Sequence, residues 1–364
     1  MELSFTQEHW DRIKANAQNW WDGSLGRPLI QVRLQGQTPD RPEPALSGHE
    51  FASFYAGDVP VEQIVDRWDY DMRCTLYLGD AFPQVCPNFG PGVIAAFMGA
   101  ELINGNNTVW FLPTEEKDLS ELIFRYDPEN KWLARCRALV AAALDRWQGK
   151  IQVALTDLGG NLDILSTFRP SEKLIYDLYD CPDRIKSLTW AAHELWWRYY
   201  TEFETLTRGI NPGYSTWAGI LSAEPHYMLQ CDFCYMISPE MFSEFVQPEL
   251  LATAGRLTNA FYHLDGKGQL AHLDALLAMD DIKGIQWVPG AGAPDVSQWP
   301  DVYRKITEAG KKIHISSNMC ERPFEILDTL KSQLGRVDHV VCHVYGDMSQ
   351  QQEAKEILER FDAQ

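Results

Sequence analysis

The chain has 364 residues, 51 acidic against 32 basic, for a formal net charge of −19. That balance excludes nucleic acid or an anionic membrane surface as the main partner, because both need a basic face. No apolar run reaches the roughly 18 residues a membrane helix needs, "MELSFTQEHWDRIK" lacks the basic and apolar stretches of a secretion signal, and the eight cysteines are scattered like reduced thiols, so the expectation is a cytoplasmic enzyme.

Ser4 with Gln7 makes a capping-box pattern, and Trp10, Ile13 and Ala17 recur at helical spacing before Gly23. This predicts an N-terminal helix and a helical extension over residues 1–27. "RPLIQVRL" predicts a strand entered through Pro28, and residues 35–60, rich in Gly, Pro and Asp, predict a loop region. From "DPENKWLARCRALVAAALDRWQGK" onward, helices alternate with short apolar stretches. The candidate strands are "PLIQVRL", "NTVWFL", "IQVAL", "YSTWA", "FYHL", "IKGIQWV", "KKIHI" and "DHVVCHV". Short apolar strands between helices imply a parallel sheet. Eight of them, with no linker tract or repeat to divide the chain, favour one closed (β/α)8 TIM barrel over residues 1–364.

Chemistry in such a barrel sits where strands end on the C-terminal face. That rule selects Arg33, Asp157, Trp217, His263, Asp265, Gln286, Trp287, Asn318, Cys342 and His343. His263 and Asp265 leave a strand end on the same side, followed by Gly266. They can bind a divalent metal or act as an oriented acid/base pair. With Cys342 across the mouth they would form a three-ligand zinc site with an open position. Glu224, His226 and Asp232, in "SAEPHYMLQCDFCYMISPE", supply ionisable groups for proton transfer from a long loop. Arg33, Trp217, Tyr262, Gln286 and Trp287 would line the substrate pocket, and the 13 tryptophans offer broad rings for a flat or sugar-like ligand. The tripeptide His-Leu-Asp occurs a second time at 272–274, where leucines at helical spacing predict an outer helix with His272 and Asp274 solvated or paired. Cys231-x-x-Cys234 has no second pair to complete a structural zinc site and reads as packing. "TDLGGNLD" matches neither the dinucleotide fingerprint nor a P-loop, and no nucleophile elbow is present.

The run "CDFCYMISPEMFSEFVQPELLATAGRLTNAFYHLDGKG", with "TDLGGNLDILSTFRPSEKLIYDLYDCPDRIKSL" and "GRPLIQVRLQG", resembles the uroporphyrinogen decarboxylase superfamily. The resemblance implies a single (β/α)8 barrel over nearly the whole chain, with one of two chemistries. Decarboxylases of the superfamily remove acetate carboxyls from a tetrapyrrole without a cofactor. Here Arg33 matches the first of their two N-terminal arginines, Gln37 stands at the second, and Asp80 falls at their catalytic aspartate. Methyltransferases of the superfamily pass a methyl group between a corrinoid protein and a thiol, or from a methylated donor to a corrinoid. They hold zinc through a His-x-Cys pair and a later Cys. The corresponding ligands would be His263, Asp265 in place of the first thiolate, and Cys342. A carboxylate there leaves the metal more electrophilic. The resemblance therefore implies a zinc-assisted methyltransferase acting on a small substrate, with a corrinoid protein as methyl donor or acceptor and a homodimer as its assembly. Its rivals are a cofactor-independent decarboxylase using Arg33 and Asp80, and a non-catalytic barrel that binds a small ligand.

Overall fold

The computed structural model describes residues 5–364, without the side chains of Ser171 and Met319. The expected first helix spans Gln7–Trp21 and buries Trp10, Ile13, Ala17, Trp20 and Trp21. Its N-cap is Thr6, whose side chain accepts from the His9 backbone N–H while the His9 ring reaches back to the cap. The expected cap at Ser4 lies outside the described residues.

Strand β1 (Leu29–Gln35) follows, then β2 (Thr75–Gly79), β3 (Gln84–Val85), β4 (Glu101–Asn104), β5 (Val109–Leu112) and β6 (Gln152–Val153). The second half carries β7 (His226–Gln230), β8 (Asn259–Asp265), β9 (Ile282–Val288), β10 (Lys312–Ser316) and β11 (Val340–Asp347), separated by helical segments. Seven strands form one sheet in the order β2-β1-β11-β10-β9-β8-β7. It is parallel throughout except for β2, which runs antiparallel to β1. Strands β3 and β6 form a separate parallel pair, and β4 with β5 an antiparallel hairpin. The architecture is mixed α/β around a mostly parallel sheet. No helix among the described residues is long and apolar enough to cross a membrane.

Three strand expectations change. "NTVWFL" lies in the β4–β5 hairpin, not the main sheet. "YSTWA" is no strand: it makes isolated bridges at Tyr214 and Thr216, and Ser215 and Thr216 bond to the Gln84 side chain instead. "HYMLQ", read as loop, is β7. Its five residues are buried on both faces, with His226 and Gln230 pointing the same way as Met228, so no polar–apolar alternation announces it.

Alternation along each strand assigns two faces. One packs under the helices and holds Ile30, Val32, Tyr262, Leu264, Ile285, Trp287, Ile313, Ile315, Cys342 and Val344 in the main core. The other begins with a small apolar cluster of Leu29, Met228, Phe261 and Val341 beneath Trp20 and Trp21. Lys312 donates to the Trp20 carbonyl at 2.7 Å and Trp21 Nε1 donates to the Leu221 carbonyl at 2.9 Å. The first helix thus caps the N-terminal ends of the strands. Polar side chains on that inner face are left for the C-terminal ends.

Candidate metal centre

Strand register builds a polar row on the inner face. Gln230 pairs with His263, His263 with Gln286, and Gln286 with His314. Residues paired across a parallel ladder project to the same side, so these four side chains stand next to one another. His263 Nδ1 lies 2.5 Å from Gln286 Oε1, and Gln286 Nε2 lies 2.8 Å from His314 Nδ1. The Trp217 ring stands edge-on to His263 with centroids 5.2 Å apart.

One pleat further along β8, Asp265 projects beside His263. Asp232, the first residue of the 3-10 turn Asp232–Met236 after β7, completes a group of three. Donor atoms of Asp232, His263 and Asp265 all lie within 4.8 Å of one another. The turn that carries Asp232 is fixed from below. Asp163, in the first turn of the helix Asn161–Phe168, accepts the backbone N–H groups of Asp232 at 2.9 Å and Phe233 at 2.8 Å. Gln269 Nε2 donates to Asp232 Oδ1 at 3.3 Å, and the Tyr262 hydroxyl holds Gln269 from the far face.

The loop "TDLGGNLD" forms the adjoining wall. Gly159, at φ +68, sets its would-be Cβ 2.5 Å from the Gly92 Cα, so a side chain there has no room. This close approach lets the loop place Asp157 at the site, where its carboxylate accepts from the Gly159 N–H at 2.9 Å and from Gln230 Nε2 at 3.4 Å. Burial raises Asp157 to about 6, and the neighbouring Asp232 charge adds to this against the pull of Gly159 and His263. Burial, then the Asp232 charge, raises Asp163 as well. Burial also raises Asp265, with His263 opposing. Asp157, Asp232 and Asp265 therefore lie around one imidazole with Asp163 behind Asp232, and Asp157, Asp163 and Asp265 hold protons more tightly than usual. The first physical cause is burial away from water, to which the like charge of Asp232 adds.

The structure does not bring every expected residue here. Cys342 is fully buried on the opposite face of β11, in the core under the helices; burial pushes its thiol upward, away from the thiolate a metal needs. The inner-face residue of that strand is His343, whose ring meets His314 at 4.7 Å. Trp287 and Tyr262 likewise face the helices, Trp287 against Trp299. A one-residue offset along a strand decides this in each case.

His226 and Glu224 sit at the start of β7, the opposite end from Asp232. His226 bonds the Asn259 carbonyl beside Trp21, and burial lowers it to about 4. The Glu224 backbone is tied to Ser222. Asp80 is sealed near the same end. Its carboxylate is held by Arg27 at 2.6 and 3.0 Å, by Asn16 at 2.8 Å and by the Ile30 N–H at 3.0 Å. Arg33 does face inward. It donates to Gln31 Oε1 at 2.6 Å and has no acidic partner among the described residues. Asn318 is exposed and takes the Ser316 hydroxyl.

His272 in the second His-Leu-Asp copy is buried rather than solvated. It stacks on Phe242 at 4.6 Å and bonds the Cys234 carbonyl at 2.9 Å. Asp274 is exposed and pairs with Lys305, as expected. Cys231 and Cys234 are both fully buried in the core. Sequence reasoning missed Asp163, Gln230 and His314. Asp163 reads as an ordinary first-turn acid of a helix, while His314 occupies a strand that otherwise looks apolar.

No protein-family model matches the chain, and no curated protein matches its sequence. Among solved structures, it is similar to a methyltransferase from Methanosarcina mazei, with a TM-score of 0.59 and 11% identity. The match covers 96% of this chain and 98% of that one. The likeness is one of fold, carried over the whole length of both chains.

Proposed function

We propose that this protein is a metal-dependent enzyme, methyltransferase-like in its chemistry, whose site is built on Asp232, His263 and Asp265. The observation that carries the reading is the convergence of those three donors within 4.8 Å at the C-terminal end of a parallel sheet. The donor set fits a divalent cation. His263 uses Nδ1 toward Gln286, which leaves Nε2 for a ligand, and among the described residues neither Asp232 nor Asp265 pairs with a lysine or arginine. One imidazole and two carboxylates accommodate zinc, but they are harder donors than the thiolate set and select it less strongly. Cys342 belongs to no such set.

A bound divalent ion would supply Lewis-acid polarisation of a substrate oxygen or sulfur. The chain's own groups do the rest. Asp157, at about 6, is suited to exchange a proton near neutral pH. Trp217 packs its ring against that of His263, and Arg33 offers a guanidinium to an anionic group of a small substrate. We read the parallel sheet as part of a closed (β/α)8 barrel of the uroporphyrinogen decarboxylase superfamily. Support comes from the bonds that join the loop after β6 to β7: Leu158 N–H to the Tyr227 hydroxyl at 2.7 Å, and Gln230 to Asp157. A corrinoid protein as methyl donor or acceptor belongs to the same reading, as the resemblance of the sequence implies, while the structural likeness is to a methyltransferase fold. The burial of Asp80 in an ion pair weighs against a decarboxylase built on that residue.

Elemental analysis of the purified protein tests the reading. One divalent metal per chain, lost in His263→Ala and retained in Cys342→Ala, is the expected result. Protein that neither contains nor takes up a divalent metal would refute it.

A further inference from the structure

Gln286 was expected to contact substrate, but both atoms of its amide are already committed, the oxygen to His263 and the nitrogen to His314. We propose that Gln286 is a positioning residue that places the proton of His263 on Nδ1, with His314 behind it fixing which way the amide faces. The inference rests on the metal-site reading for its use, though not for its geometry.

An amide between two imidazoles can sit in either of two orientations, and each dictates a different tautomer for both rings. With the oxygen toward His263, that ring must donate from Nδ1 and keeps a lone pair on Nε2. With the NH2 toward His263, the lone pair is on Nδ1, consumed by the amide, and Nε2 carries a hydrogen that blocks a metal. The structure sets the amide oxygen toward His263 and the NH2 toward His314. His314 Nδ1 is then an acceptor, so the proton of its neutral ring belongs on Nε2, which has no hydrogen-bond partner among the described residues. The tautomer of His314 and the lone pair of His263 are thus linked through one amide.

The register makes this arrangement rigid. His263, Gln286 and His314 are direct partners across three adjacent strands. Gln286 and His314 are both almost completely buried, so no water competes for the amide.

The test reads the tautomer directly in the metal-free protein. Long-range proton–nitrogen correlation on histidine-labelled protein, with His263 assigned by His263→Gln, should show the proton on Nδ1 in the wild type. Gln286→Met removes both amide bonds at nearly constant volume, and the His263 proton should spread over both nitrogens. Gln286→Glu keeps an acceptor oxygen and should retain Nδ1–H. Should Gln286→Met fail to fold, His314→Leu frees the amide to turn and should lower the Nδ1–H fraction. A wild-type proton on Nε2, or an unchanged tautomer in Gln286→Met or His314→Leu, overturns the proposal. Titration with Zn²⁺ alone then separates the two readings: Gln286→Met should bind about 10- to 100-fold more weakly. If wild type binds no Zn²⁺ while the tautomers follow the pattern above, proton placement by Gln286 stands and the metal reading falls.

Discussion

The carboxylate of Asp163 receives the backbone N–H of Asp232 at 2.9 Å, so one acidic residue fixes the chain segment that presents another. Asp163 takes the Phe233 N–H as well, and together the two bonds set the first turn of the 3-10 segment Asp232–Met236. Asp163→Ala should loosen that turn and weaken divalent-metal binding about tenfold, the usual scale for a residue that orients a ligand. Asp163→Asn, which keeps one acceptor oxygen, should lose less. Isothermal titration of the two variants with Zn²⁺ checks both the direction and the order.

The opposite faces of β8 and β11 separate two accounts of the site. Asp265→Asn removes a clustered donor and should lower metal content sharply, while Cys342→Ala should leave it unchanged. Cys342 fills core space under the helices, so its truncation should cost about 1–2 kcal/mol in denaturant unfolding. Metal loss in Cys342→Ala with Asp265→Asn unaffected would reverse the assignment.

Arg27 is what makes the burial of Asp80 tolerable. The carboxylate is 2% exposed, and its one charged partner in the ion pair is Arg27. Arg27→Ala leaves an uncompensated buried charge and should destabilise the fold by about 3–5 kcal/mol. Arg27→Ala,Asp80→Asn should recover much of that loss in urea unfolding. If Asp80 were instead a catalytic acid, Asp80→Asn would abolish activity without this coupling in stability.

Acidification should stress the inner face through its histidines. Burial lowers His226 to about 4 and His314 to about 3. A group depressed on folding contributes stability that is full above its unfolded pKa and lost as pH falls toward the folded one. For His226 the window runs from the ordinary 6.5 down to about 4, which amounts to roughly 3 kcal/mol. Asp157 works in the other sense, because its raised carboxyl favours the native state below 3.8 and loses that advantage as pH rises through about 6. His226→Gln should therefore shrink the stability difference between pH 7 and pH 4 by roughly 3 kcal/mol, as measured by urea unfolding at each pH. An unchanged pH profile would show that the imidazole already titrates normally in the folded protein.

What the sequence marked by itself was five strands of the main sheet, the helices between them, and His263 with Asp265 as a candidate pair at one strand end. Period-3.6 patterns, Pro and Gly at element ends, and short apolar runs mark β1, β8, β9, β10 and β11 and the helices between them, because these features act within a few residues of chain. His263 and Asp265 were legible for the same reason: a strand end followed by glycine is a local signal. The tertiary structure decided which neighbours join them. Cys342 and His343 differ by one position in the chain, yet strand alternation sends the first under the helices and the second to the inner face. His226 and Asp232 share one stretch of sequence, but the five residues of β7 carry them to opposite ends of the sheet. Asp163, Gln286 and His314 come from three distant segments, and only the register of adjacent parallel strands and the packing of one helix terminus make them serve His263 and Asp232. Those relations depend on through-space pairing, and no local pattern encodes them.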